Sequence, residues 1–226
     1  MARPTTQGKC RLCGAIYSKG GMSKHLEKCK QTHPPQPTGQ GKLQTTRIFH
    51  IVAQGHYDPD YWLHVEIPAN ARLTDLDNFL RATWLECCGH LSAFNIQGQS
   101  YASRVFNDGW SNDRSMNIAL DRVFRPGLKF NHEYDFGTTT ELDLRVVSER
   151  TGQFRGKSPQ ILARNDPPEI ICQACGKNQA TEVCTMCIYE GEGWLCEACA
   201  EEHECGEDYF LPVVNSPRVG MCGYTG

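Results

Sequence analysis

Between Cys172 and Cys205 the chain repeats a Cys-x2-Cys pair three times, with eight residues between successive pairs: Cys172 and Cys175, Cys184 and Cys187, Cys196 and Cys199. His203 and Cys205 follow closely, and Cys222 lies further on. Two thiols separated by two residues reach one metal ion from a single turn, and zinc takes four such ligands in a tetrahedron. Six thiolates with two of His203, Cys205 and Cys222 make eight ligands, enough for two ions. His203-x-Cys205 is a short chelate, so His203 with Cys222 competes for those last two places. A redox Cys-x2-Cys normally stands alone at a helix start; three evenly spaced pairs favour metal. The large apolar residues nearby are few (Ile170, Ile171, Val183, Ile188, Tyr189, Trp194, Leu195). Metal binding is therefore expected to fold this segment.

A second constellation stands near the start: Cys10-x2-Cys13-x11-His25-x3-Cys29. His25 and Cys29 are four residues apart, so both face one side of a helix. Ser18 or Ser23 is placed to cap that helix, and Tyr17, Met22 and Leu26 lie where a small ββα unit keeps its apolar core. The pattern resembles the zinc finger built on two cysteines and two histidines, with Cys29 in place of the last histidine. It has eleven residues where that family usually has about twelve, which bears on the helix register and not on the ligand set. Lys9, Arg11, Lys19, Lys24, Lys28 and Lys30 surround the site and are candidates for nucleic-acid phosphates. One such finger reads only about 3 bp, too little for sequence-specific control by itself.

The tail pattern resembles cross-brace modules of the B-box and RING kind, in which alternate pairs share an ion. That resemblance implies that Cys172, Cys175, Cys196 and Cys199 hold one zinc, and that Cys184 and Cys187 hold another with two of the late candidates. A sequential arrangement, with Cys172, Cys175, Cys184 and Cys187 together, stays open from spacing alone. With the finger, about three zinc ions per chain are expected.

Composition agrees. Thirteen cysteines occur in 226 residues, the opening residues carry no apolar signal core, and no run approaches the ~20 apolar residues of a membrane span. A cytoplasmic chain uses cysteine for metal or catalysis more than for disulfides. Charge is unevenly placed. Residues 1–47 hold nine Lys/Arg against one acid, giving +8; residues 48–164 come to −2; residues 165–226 hold two basic and eleven acidic residues, giving −9. An acidic tail disfavours phosphate and favours protein contact.

The chain divides into a finger (1–30), a Pro/Gly linker (31–45), a central unit (46–150), a second linker (151–169) and the Cys-rich module (170–226). The centre reads as α+β and β-grasp-like. Residues 47–53 and 62–67 alternate as strands around the Gly55 to Asp60 turn. A helix follows, with Thr74 and Asp77 as its capping pair and Gly89 as its stop. Short strands at 94–96 and 101–103, a short helix at 117–124 and strands at 129–136 and 141–148 complete the unit.

Leu73-Thr74-Asp75-Leu76, then Gly89-His90-Leu91-Ser92-Ala93-Phe94, and later Tyr134-Asp135-Phe136-Gly137 resemble the plasmid pRiA4b ORF-3-like family over roughly residues 46–150. The resemblance implies a fold more than an activity. The family's Asp-x-Trp-x-His continuation is replaced here by Thr138-Thr139-Thr140-Glu141-Leu142, and Ser92 stands where a second His is common. No histidine role is therefore carried over. Cys87, Cys88 and His90 read as packing residues at a helix end; a metal or nucleophilic role is the competing reading. Tyr57, Tyr61, Trp62 and Trp110 are placed either to stack on bases or to pack. No Gly-rich phosphate loop, nucleophile elbow or zinc-protease motif is present. The expectation is a non-catalytic zinc-binding adaptor whose finger contacts DNA or RNA and whose tail contacts protein. The alternatives are a protein-interaction scaffold with purely structural zincs, and an enzyme using Cys87, Cys88 and His90.

Overall fold

Alternating apolar runs build a sheet around which the rest of the chain is arranged. The structure, a computed structural model, describes residues 6–106 and 111–226. The strands are β1 (Gln7–Cys10), β2 (Ile16–Ser18), β3 (Leu43–Gly55), β4 (Trp62–Pro68), β5 (Ser92–Ile96), β6 (Gln99–Ala102), β7 (Arg114–Ser115), β8 (Lys129–Tyr134), β9 (Thr140–Arg155) and β10 (Gln160–Asn165). Together they form one ten-stranded sheet, in the order β2-β1-β10-β4-β3-β9-β8-β5-β6-β7. The expected α+β class is what the chain adopts, dominated by this sheet.

Helix α1 (Lys19–Thr32) belongs to the finger, and α2 (Leu73–Leu80) continues as a π turn over Arg81–Leu85. Leu73, Leu76, Leu80, Trp84 and Leu85 are buried against Phe49, Ile51, Leu63, Val65, Ile67, Phe94, Phe130 and Leu144 of the sheet. The expected Thr74–Asp77 capping pair does not form. Arg72 precedes the helix instead, and its backbone N–H donates to Asp75 Oδ2 at 2.7 Å. Asp77 is buried beside His132 Nε2, also at 2.7 Å. The helical turn ends at Leu85, so Cys87 and Cys88 lie on the loop beyond it. Residues 117–124 shorten to one 3-10 turn at Leu120–Arg122.

Both faces of β4 are covered. Leu63, Val65 and Ile67 face the α2 core, whereas Trp62 packs with Cys10, Met22, Leu26, Cys29, Leu162 and Ala163. The finger is therefore docked on the sheet. Strand β1 extends it by pairing antiparallel with β10, Gly8 opposite Asn165 and Cys10 opposite Ala163. A side chain at Gly8 would collide with the Arg164 carbonyl and the Trp62 ring, so this close approach needs glycine.

The stretches read as linkers are folded against neighbours. Residues 151–169 contain the end of β9 and all of β10, because buried Phe154, Leu162 and Ala163 outweigh the local Gly and Pro content. In residues 31–45 the Gln36 carbonyl accepts from Gln160 Nε2 at 2.8 Å, and β3 begins at Leu43.

The tail forms a small sheet of β11 (Glu182–Cys184), β12 (Trp194–Leu195) and β13 (Phe210–Pro212), ordered β12-β11-β13, with the short helix α3 (Glu197–Glu201). Its Val183 and Val219 enter the main core. Among the described residues no helix is long and apolar enough to cross a membrane.

Candidate metal centres

In the finger, β1 and β2 form a hairpin, and the turn between them carries Cys13. Helix α1 then presents His25 and Cys29 one turn apart. Cys10 Sγ lies 3.9 Å from Cys29 Sγ, and Cys13 Sγ lies 3.3 Å from His25 Nε2. All four ligand atoms are within 4.8 Å of one another. The spacing of eleven residues is absorbed without loss of the ligand set. Met22 and Leu26 are buried as expected, but Tyr17 is exposed and stacks on His25 with ring centroids 4.5 Å apart. Trp62 takes the core place expected of it. Ser18 is the N-cap residue, without a side-chain capping bond.

In the tail, Cys172, Cys175, Cys196 and Cys199 form one group, and Cys184, Cys187, His203 and Cys205 another. Alternate pairs thus come together, and the sequential arrangement does not occur. Cys175 and Cys196 sulfurs are 4.0 Å apart; Cys187 Sγ is 3.4 Å from His203 Nε2 and 3.7 Å from Cys205 Sγ. Helix α3 and the turn after it make the short His203-x-Cys205 chelate possible. Cys222 is not part of either group. It lies instead near Cys88 and His90.

The donor chemistry suits a cation. None of the thirteen cysteines is joined in a disulfide. Burial pushes the Cys172 thiol up, but backbone N–H groups of Cys175 and Cys196 bring it down to about 6. Its neighbour Cys199 is pushed up to about 12, chiefly by the Cys196 and Cys172 sulfurs. In the second group burial opposes, and the Cys187 and Met186 N–H groups prevail, bringing Cys184 to about 7. Cys187 is pushed up to about 12 by Cys205 first and then by burial. Burial, then the sulfurs of Cys13 and Cys10, push Cys29 up to about 12. In each group one thiol is eased toward the thiolate, Cys13 in the finger by the Ala15 N–H, and another is held back by neighbouring sulfurs and burial. A divalent ion removes that opposition, so these residues fit one.

The basic residues of the finger separate into two sets. Lys9, Arg11, Lys24 and Lys28 are exposed. Lys19 and Lys30 are not free for phosphate, because docking uses them. Lys19 Nζ donates to Gln54 Oε1 at 2.6 Å. Lys30 Nζ is 3.3 Å from Glu66 Oε1, within a pair that is almost wholly buried. Glu66 also accepts two bonds from Arg150, at 2.8 Å and 2.5 Å. Beside them His50 Nε2 and His64 Nδ1 are 3.0 Å apart. Tyr61 and Trp62 are buried, which settles them as packing residues; Tyr57 is exposed, and Trp110 lies outside the described residues.

This interface has a pH signature. Burial pushes both histidines down, with the nearby Lys30 charge adding to it, and His64 reaches about 3. The unfolded chain binds these protons near the ordinary value of 6.5, while the folded chain refuses them. Stability therefore falls as pH drops from about 6.5 toward about 3, by up to about 1.4 kcal/mol per pH unit for His64, and His50 adds in the same direction. The urea midpoint of His64→Asn is expected to depend less steeply on pH than that of the parent chain. Equal slopes would contradict a neutral buried His64.

Residues 49–185 match the family described as plasmid pRiA4b ORF-3-like protein. The chain belongs to this family. The pRiA4b ORF-3-like match runs beyond residue 150 and takes in Cys172, Cys175 and Cys184. Among solved structures, the crystal structure of a protein of unknown function, MM3350 from Methanosarcina mazei Go1, is similar. It has 17% identity and a TM-score of 0.45, covering 54% of this chain and 70% of that one. No curated protein matches the chain. Within the pRiA4b ORF-3-like domain, the motif residues His90, Tyr134 and Asp135 come together. Tyr134 Oη accepts from the N–H groups of Cys87 and His90 at 3.4 Å and 3.3 Å, and Asp135 Oδ2 is 3.5 Å from His90 Nε2.

Proposed function

We propose that this pRiA4b ORF-3-like protein is a non-catalytic, zinc-binding adaptor of the cytoplasm. Its finger holds nucleic-acid phosphates and its acidic tail holds a protein. The finger is read as a zinc finger with three cysteine ligands and one histidine, and the tail as a B-box or RING-like two-zinc module. The observation that carries the reading is the sorting of basic residues. Docking consumes Lys19 and Lys30 but leaves Lys9, Arg11, Lys24 and Lys28 in solvent, with Lys24 and Lys28 one helical turn apart. Because α1 lies against the sheet, its contact is with phosphates and not with base edges deep in a groove. Such binding is weakly selective for sequence and strongly dependent on salt.

The test is affinity for a short DNA or RNA duplex measured across salt concentrations. The double variant Lys24→Ala/Lys28→Ala is expected to reduce the slope of log K against log salt by about 0.9 per lysine. An unchanged slope, or no binding by the parent chain, removes the nucleic-acid half of the proposal. A scaffold without nucleic acid is the second reading. It is favoured by the exposed Ile171, Met186, Tyr189 and Tyr209 on the tail, apolar groups on a module that already carries −9. The leading reading assigns the same surface to the protein partner.

A further inference from the structure

Cys87, Cys88 and His90 lie on the loop after α2, where Gly89 turns the chain in the left-handed region at φ +78°. The segment after β13 returns across the pRiA4b ORF-3-like domain and delivers Cys222 to the same place. Cys88 Sγ is 3.5 Å from Cys87 Sγ, 2.9 Å from His90 Nε2 and 3.8 Å from Cys222 Sγ; His90 Nε2 is 3.3 Å from Cys222 Sγ. All four ligand atoms lie within 4.8 Å of one another. A tetrahedral zinc with sulfur at about 2.3 Å and nitrogen at about 2.0 Å sets its ligands roughly 3.5–3.8 Å apart. In the finger and tail groups such separations are 3.3–4.0 Å, against 2.9–3.8 Å here.

We propose that Cys87, Cys88, His90 and Cys222 form a fourth zinc site, which fastens the returning C-terminal segment to the pRiA4b ORF-3-like domain.

Three further observations support it. First, Cys222 adopts φ +46°, a left-handed conformation unusual for a residue with a side chain. Such a backbone is strained and persists where something else holds it. Second, Arg218 is wholly buried four residues before Cys222. Its Nη2 is 2.7 Å from Asp135 Oδ2 and 3.4 Å from Cys87 Sγ, while Nη1 donates to the Thr138 carbonyl at 3.2 Å and to Thr140 Oγ1 at 3.0 Å. Three thiolates around a divalent ion leave a negative charge, and this guanidinium offsets it. The Asp135 carboxylate is itself held by Arg218 and by the N–H groups of Gly137 and Thr138, so it does not compete as a ligand. Third, the return path is anchored elsewhere. Ser216 Oγ donates to the Trp84 carbonyl at 2.6 Å, and Asn165 Nδ2 donates to Asn215 Oδ1 at 2.8 Å.

Four protein ligands leave no open position, so the site is structural and not catalytic. Binding exchanges the three thiol protons, which pass to solvent, for one ion. The site is independent of nucleic-acid binding, so metal counting and the salt slope test separate claims.

The test uses the full chain, purified with zinc and dialysed. Elemental analysis is expected to give four zinc per chain in the parent, and three in Cys222→Ser and in Cys88→Ser. Three in the parent, or four retained in either variant, overturns the proposal while leaving the finger and tail groups in place. Thiol labelling of the unmutated chain guards against a variant that fails to fold. Cys88 and Cys222 are exposed, so as free thiols an alkylating reagent would modify them at once. Peptide mapping is expected to find them protected at least tenfold until a chelator is added. Immediate labelling of both in the zinc-loaded chain also overturns the proposal.

Discussion

Cys172→Ser is expected to cost the chain one metal ion and the folded tail with it. The apolar cluster around this group is only Cys172, Leu195 and Cys196, with Cys175, Cys199, Ala200 and Phe210 partly buried against it. The ligands of this group are therefore also most of its core. Strands β11 to β13 are two or three residues each, too short to hold a sheet unaided. A structural zinc contributes on the order of 10–16 kcal/mol to folding such a unit, far more than this apolar area. Hydrogen exchange should show lost protection over residues 172–212, with protection retained through β3, β4, β8 and β9, whose core rests on α2. Elemental analysis should show one ion fewer. A tail that keeps its protection after the substitution would mean that packing against Val183 and Val219 suffices without the metal.

Glu66→Ala should be the most damaging single change in the finger's docking surface. The carboxylate is almost wholly buried and is shared by Lys30 of α1 and Arg150 of β9. Burial pushes the Lys30 ammonium down, and Glu66 is the main group opposing it. Removing the acid leaves two cations facing each other and His50, with no anion between them. Breaking a buried pair in this way costs about 3–5 kcal/mol. Chemical denaturation should show that loss, and Lys30→Met in the same chain should return part of it, because the stranded charge is gone. A loss below about 1 kcal/mol, of the size found for surface pairs, would show that water reaches the interface and screens it.

Much of the local structure is legible in the order of residues. Residues 47–53 and 62–67 alternate, and they do pair as strands. The Cys-x2-Cys spacing identifies four thiol pairs before any folding is considered, because two thiols on one turn reach one ion whatever surrounds them. What alternation cannot report is what covers the second face. His50, His64 and Glu66 occupy positions that, in an open sheet, belong to solvent. They are buried because α1 lies over them, and α1 comes from a segment joined by residues that read locally as a linker. Asp77 is similar: near a helix start it reads as a capping residue, yet His132, 55 residues away in sequence, claims it.

The cysteines divide along the same line. Sequence by itself determined the pairs at 10/13, 172/175, 184/187 and 196/199, the charge contrast between head and tail, and the α+β class, since each depends on neighbours within a few residues. Only the tertiary structure decided that alternate tail pairs share a site, that His203 and Cys205 complete it, and that Cys222 joins Cys88 across 134 residues. It alone also removed Lys19 and Lys30 from the basic surface. These outcomes depend on where a returning chain is laid down. That is set by the shared burial of Val183, Val219, Trp62 and Arg218 among distant partners, a property of the packed molecule that no local spacing encodes.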